Sequence, residues 1–259
     1  MTTITRSLID TKTMAERNLL KSISSPDKLI ENVIAPVMTM LIFVFVLGGA
    51  LEETTGEMSY VNYVVPGVIL LCIGQCSTTT AISVSMDIEK GIISRFRSMP
   101  IAQSSVLTGR VIEAVLRTMF TVVLIILAAF LVGFRPSAGI AGWAGCAALL
   151  LLFSLTITWI SVVYGLLVKS AESAGSITMF IMLFTYLSSG FIATETLPSV
   201  LRVFAENQPM TPIIEAARAM LLNRALDNNL LLAAVWCIVL GLAAHIAAVR
   251  LYKRKLWRS

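Results

Sequence analysis

Apolar residues gather into six long, charge-poor stretches, at about 33–51, 63–86, 107–133, 142–168, 174–194 and 229–250. Each is long enough to cross roughly 30 Å of hydrocarbon as a helix. An isolated strand would leave its backbone N–H and C=O groups unpaired in lipid, so a helix is the default for every stretch. The third carries Arg110, Glu113 and Arg117 in its first part, and the fourth is hard to bound because residues 137–168 hold no charge. The pattern predicts an all-α polytopic membrane protein. It has one transmembrane domain over residues 1–259, with six transmembrane helices.

Three segments between or before these stretches are amphipathic instead. In residues 1–30, Leu8, Leu19, Leu20 and Ile23 alternate with basic residues, and Ser25-Pro26 is a helix-start pair. Such a basic amphipathic segment lies along a membrane surface, or is a solvated tail with scattered apolar residues. In the stretch 87–100, Ile92, Ile93, Phe96 and Met99 fall on about a third of a helical circumference. Asp87 and Glu89 favour its N-terminal end, and Pro100 stops it. Its apolar stripe packs against the bilayer or fills a groove on a partner, with Arg95 and Arg97 flanking the contact. In the connection 195–227, Leu197, Val200, Leu201 and Phe204 form one helical stripe. Ile213, Ile214, Ala217 and Leu221 form another, and NQPMTP breaks the chain between them. Two half-length helices with a kinked join predict a hairpin that dips into the outer leaflet or lies on it.

Composition supports the membrane reading: 57% of residues are hydrophobic and 14% charged, against about 25% charged in soluble domains. Residues 1–30 are polar and lack the pattern of a cleaved signal. With both termini in the cytoplasm, all 20 lysines and arginines except Arg135, Arg202, Arg218 and Arg224 fall on the cytoplasmic side. That is the positive-inside bias, and it accounts for the net charge of +5 without nucleic acid as a partner. The expected location is the cytoplasmic membrane, multi-pass. Cys72, Cys76, Cys146 and Cys237 all sit in apolar runs with no metal-binding or disulfide spacing, so they are expected to pack as small hydrophobes.

Candidate chemistry is sparse. No G-x-x-x-x-G-K-[ST] stretch is present to hold nucleotide phosphates. Uphill transport then draws energy from a partner or an ion gradient, and a gradient-driven carrier places ionisable groups within its spans. The candidates are Glu113, Arg117 and His245. Arg110, Glu113 and Arg117 follow at i+3 and i+4, which predicts an ion-pair ladder near the cytoplasmic end, structural or gating. An intramembrane enzyme would need a convergent polar set, and Ser77-Thr78-Thr79-Thr80 has no catalytic companions in the sequence. Neither catalytic nor metal residues are expected.

The run EKGIISRFRSMP resembles the E-x-G-x-x-x-R-x-x-x-x-P signature of type-2 ABC exporter permeases, at Glu89, Gly91, Arg95 and Pro100. SPDKLIENVIAPV at 25–37 resembles that family's lead-in to its first span, and FAENQPMTPIIEAARAML at 204–221 its external segment before the last. RFRSMP with ENQP is most similar to the drug- and lipid-exporting branch related to daunorubicin-resistance permeases. The resemblance implies a half-transporter: two six-span permease copies, identical or paralogous, with two separate ABC ATP-binding subunits that bind ATP and Mg. It makes residues 87–100 a coupling helix seated in the ATPase subunit, through Glu89, Gly91, Ile92, Ile93, Arg95, Phe96, Arg97, Met99 and Pro100. It makes the N-terminal segment, with Leu19, Leu20 and Ile23, a second interface, and it puts the 195–227 hairpin near the exit for substrate.

The expected function is therefore ATP-driven export of an amphipathic or hydrophobic substrate, a drug or lipid. The alternatives are a polysaccharide or glycan-linked lipid as cargo, or a channel or structural membrane subunit.

Overall fold

The computed structural model describes residues 26–51, 59–90 and 103–258, and among these every regular element is a helix. The first, α1 (Pro26–Leu41), begins at the residue that the Ser25-Pro26 pair predicts and runs into a π-helical stretch, Ile42–Leu47, and a short α2 (Gly48–Leu51). Then come α3 (Tyr60–Glu89), α4 (Gln103–Val132) and α5 (Ile140–Leu167). Two short helices, α6 (Ala171–Gly175) and α7 (Ile177–Tyr186), lead to α8 (Ser199–Asn207) and α9 (Met210–Leu221). The long α10 (Asn229–Arg258) closes the bundle.

Among the described residues four helices are long and apolar enough to cross a membrane: Tyr60–Glu89, Leu107–Val132, Ile140–Leu167 and Asn229–Lys255, with a shorter apolar helix at Val33–Val46. They are not equivalent. In α3 the most apolar window is 78% buried, and in α10 only 17%. A helix that is apolar or small-residued all round belongs at the centre, and α3 contacts α1, α4, α5, α6, α7 and α9. Close approach needs small residues. A Cβ on Gly165 of α5 would fall 2.5 Å from the Ala81 carbonyl oxygen of α3.

Hydroxyls join the helices across this core. Ser161 Oγ donates to Ser77 Oγ at 3.1 Å, Thr178 Oγ1 to Thr78 Oγ1 at 2.9 Å, and Thr156 Oγ1 to the Cys237 carbonyl at 2.9 Å. In an apolar medium such bonds hold helix pairs in register, and this is the work that Ser77 and Thr78 do here. All four cysteines are buried and unbridged.

Residues 174–194 differ from the single span that their hydropathy predicts. The helix α7 is ten residues long, about 15 Å, and irregular backbone follows it. Two groups account for the break. Ser188 Oγ bonds the Thr185 carbonyl and accepts from the Gly190 N–H, competing with the helical ladder. Gly190 then lets the chain press on α3, where a Cβ on Gly67 would sit 2.6 Å from the Gly190 carbonyl oxygen.

Residues 197–221 hold two short helices, broken at Gln208-Pro209. Their settings are unlike. The helix α8 is mostly exposed, including Val200 and Val203, whereas α9 buries Met210, Ile213, Ile214, Ala217 and Leu221 against α3, α5 and α10. The second half of the expected hairpin is thus an inner element of the bundle.

Candidate functional site

Clusters containing charged side chains lie at the two ends of α3, roughly 36 Å apart along its axis from Tyr63 to Asp87 at 1.5 Å per residue. At the C-terminal end, Glu89 Oε1 accepts the Ala171 N–H at 2.7 Å. That bond ties the start of the 89–100 stretch to the first turn of α6. Ser170 Oγ accepts the Ser173 N–H at 3.1 Å, so the two side chains together satisfy the exposed start of this short helix.

Two residues before Glu89, Asp87 forms an ion pair with Arg110 of α4. Farther along α4, Arg117 Nε bonds Glu113 Oε1 at 3.1 Å, with both side chains about nine-tenths buried. The ladder predicted over Arg110, Glu113 and Arg117 is therefore divided. Glu113 and Arg117 pair within α4, while Arg110 reaches across to α3. The Tyr252 hydroxyl from α10 is buried beside Asp87 and Arg110, with no hydrogen-bond partner among the described residues. His245, the other ionisable candidate, lies exposed with its ring edge-on to Trp159, centroids 4.4 Å apart.

Of the residues expected to seat an ATPase subunit, Glu89 is described, and Gly91, Ile92, Ile93, Arg95, Phe96, Arg97, Met99 and Pro100 lie outside the described residues. The expected N-terminal interface, Leu19, Leu20 and Ile23, lies outside them as well. Among the described residues no group of three or more His, Cys, Asp or Glu side chains could hold a metal.

The N-terminal end of α3 carries a node that the sequence reading counted only as one external charge. Arg218 of α9 is 3% exposed. Its Nη2 donates to the Tyr63 carbonyl at 3.0 Å and the Ser189 carbonyl at 2.7 Å, its Nε to Tyr63 again at 3.2 Å, and its Nη1 to Glu215. The planar fork also lies over the Tyr63 ring, 3.8 Å from the centroid. Two further bonds hold the same turn: Tyr60 Oη to the Phe191 carbonyl at 2.9 Å, and Gln208 Nε2 to the Leu187 carbonyl at 2.8 Å. Residues 187–191 are thereby fastened to α3 and α9. The signal was present in the pattern. Arg218 stands four residues after Ile214 and three before Leu221, on the apolar stripe itself.

The sequence pattern of the ABC-2 type transporter family matches residues 10–222, most of the chain, and the chain belongs to this family of integral membrane proteins. It is also similar to the daunorubicin resistance ABC transporter permease protein DrrB1 of Streptomyces coeruleorubidus. The two are 29% identical over 235 residues, covering 89% of this chain and 81% of that protein.

Proposed function

We propose that the chain is the permease subunit of an ATP-driven exporter in the cytoplasmic membrane, moving an amphipathic or hydrophobic substrate outward. The observation that carries this reading is the family match over residues 10–222 together with the likeness to a daunorubicin-resistance permease. Two copies, identical or paralogous, pair in the membrane, each with six crossings, one of them made by the broken stretch 174–194, and both termini in the cytoplasm. Two separate subunits bind and hydrolyse ATP with Mg.

Residues 87–100 are the seat of each ATPase subunit, with Leu19, Leu20 and Ile23 as a second contact. The Glu89–Ala171 bond supports this role, because a push on the 89–100 stretch reaches α6 and, through the adjoining Ser176, α7. Arg110, Glu113 and Arg117 act as gating pairs on the same side.

Co-expression with candidate ATP-binding cassette subunits tests the proposal. The expected result is co-purification of the complex and ATP-dependent daunorubicin uptake into inverted vesicles. Phe96→Ala should insert normally, lose the ATPase subunit and lose uptake. Failure of any ATPase subunit to co-purify would overturn the reading, and uptake of a glycolipid but not daunorubicin would move the cargo to the glycan class.

A further inference from the structure

A lateral cavity of about 200 Å3 lies where α5, α7, α9 and α10 meet. Its floor is buried and apolar: Phe153, Ile157, Ile181, Ile213 and Cys237. Its mouth lies between Phe180 of α7 and Trp236 of α10, which are 55% and 36% exposed. The one hydroxyl in the wall, Thr156 Oγ1, is turned to the Leu152 and Cys237 carbonyls at 2.9 Å each. No polar group is left to meet a ligand.

Size and chemistry narrow the occupant. Water needs two to four polar partners, and an apolar void of about 150 Å3 stays dry while accepting benzene. Drug-sized ligands occupy pockets of about 300–1,000 Å3, so a whole amphipathic cargo is too large. A helix from a second copy is about 10–12 Å across and cannot enter. A stretch of hydrocarbon chain fits the volume and needs no hydrogen bond. The surroundings supply one: Leu183 beside the mouth on α7 and Val235 and Val239 on α10 are exposed apolar residues, in contact with bilayer chains in a membrane protein.

We infer that this cavity is a binding site for one acyl chain of a membrane phospholipid, entering sideways between α7 and α10. The inference rests on the membrane setting of the chain and does not depend on the cargo. The bound chain braces α7 next to its contact with α3, because Ile181 both lines the cavity and packs on Gly74 of α3.

The test uses the full chain in vesicles of palmitoyl-oleoyl phosphatidylcholine, with a minor fraction of phosphatidylcholine carrying a diazirine in mid-chain. After illumination, adducts are mapped by mass spectrometry. Adducts on 177–184 and 236–240 are expected to exceed those on the outer residues Leu231 and Leu242 several-fold. The excess should vanish when the cavity is filled by Ile213→Phe or, at its half-exposed rim, by Leu240→Trp. Labelling of Leu231 and Leu242 stays constant in a correctly inserted variant and serves as the internal control. Even labelling that neither variant changes would overturn the site. Displacement of the adducts by added daunorubicin would overturn the lipid as occupant in favour of cargo. ATP-dependent uptake by the assembled exporter is read separately, so loss of the lipid site and loss of the exporter reading are distinguishable.

Discussion

Arg218 holds Tyr63 twice, once through the backbone and once through the ring. Its guanidinium donates to the Tyr63 carbonyl at 3.0 and 3.2 Å and lies 3.8 Å from the centre of the Tyr63 ring. A lysine cannot reproduce this arrangement, because it lacks the planar fork. The same guanidinium reaches the Ser189 carbonyl, so one side chain joins α9, the start of α3 and the turn after α7.

Removing that fork exposes its worth. Arg218→Ala is expected to cost about 3–5 kcal/mol, the range for breaking a buried charged contact, and Arg218→Lys to recover only part. The four buried cysteines make the measurement direct. A thiol-reactive dye followed on heating should report a large fall in unfolding temperature for Ala and a smaller one for Lys.

Gly67 and Gly49 predict opposite signs. At Gly67 an added Cβ meets the Gly190 backbone at 2.6 Å, and at Gly49 it meets nothing within 4 Å. Gly67→Ala should destabilise by about 1–3 kcal/mol through overpacking and displace the 187–191 turn. Gly49→Ala should be neutral or stabilise by up to about 1 kcal/mol by restricting the unfolded chain. Thermal unfolding of the two variants side by side checks this.

For Glu113 and Arg117 a double substitution separates structure from gating. Glu113→Leu alone strands a buried Arg117, at about 3–5 kcal/mol, whereas Glu113→Leu with Arg117→Met should return close to the parent stability. If the pair also gates transport, the double variant folds, retains its ATPase partner and fails to export. Full export by the double variant would leave the pair purely structural.

Glu89→Lys removes the acceptor for the Ala171 N–H and places a cation at the start of α6. Substrate moved per ATP hydrolysed is expected to fall on the order of tenfold, within the usual range of coupling energies, while the ATPase subunit still hydrolyses ATP. Charge reversal at Arg95 should do the same. Unchanged stoichiometry in both would remove these residues from coupling and leave Glu89 only its bond to the start of α6.

Topology is open to a labelling experiment. Ser199 is exposed at the start of α8, and the native cysteines are buried, so Ser199→Cys stands out against a low background. A membrane-impermeant maleimide added to whole cells should label it. Labelling by permeant reagents alone would reverse the proposed orientation.

Much of the architecture was legible in one dimension because lipid imposes local rules. A backbone in hydrocarbon must satisfy itself within a helix, so apolar length alone picks out the helices that became α3, α4, α5 and α10. Periodicity and proline likewise delimited α8 and α9, and the Ser25-Pro26 pair marked the start of α1. The stretch around Arg95 and Phe96 was legible only as a motif, through family resemblance, since a stripe of four apolar residues leaves its partner undefined.

The sequence by itself determined an all-helical membrane chain, a helix break within NQPMTP, and membership of a transporter family through motifs in order; the fold put the break at Gln208-Pro209 and took Pro212 into α9. Tertiary structure alone decided which helix is central, where residues 174–194 leave the helix, and which charges pair. Hydropathy counts residues without regard to neighbours, so it ranked 174–194 with the true long helices. Its fate turned on Ser188, Gly190 and a glycine more than a hundred positions away at Gly67. Arg218 makes the same point. A charge on an apolar stripe is costly until a carbonyl, a carboxylate and an aromatic face converge on it, and only the packed fold brings Tyr63, Ser189 and Glu215 to one guanidinium.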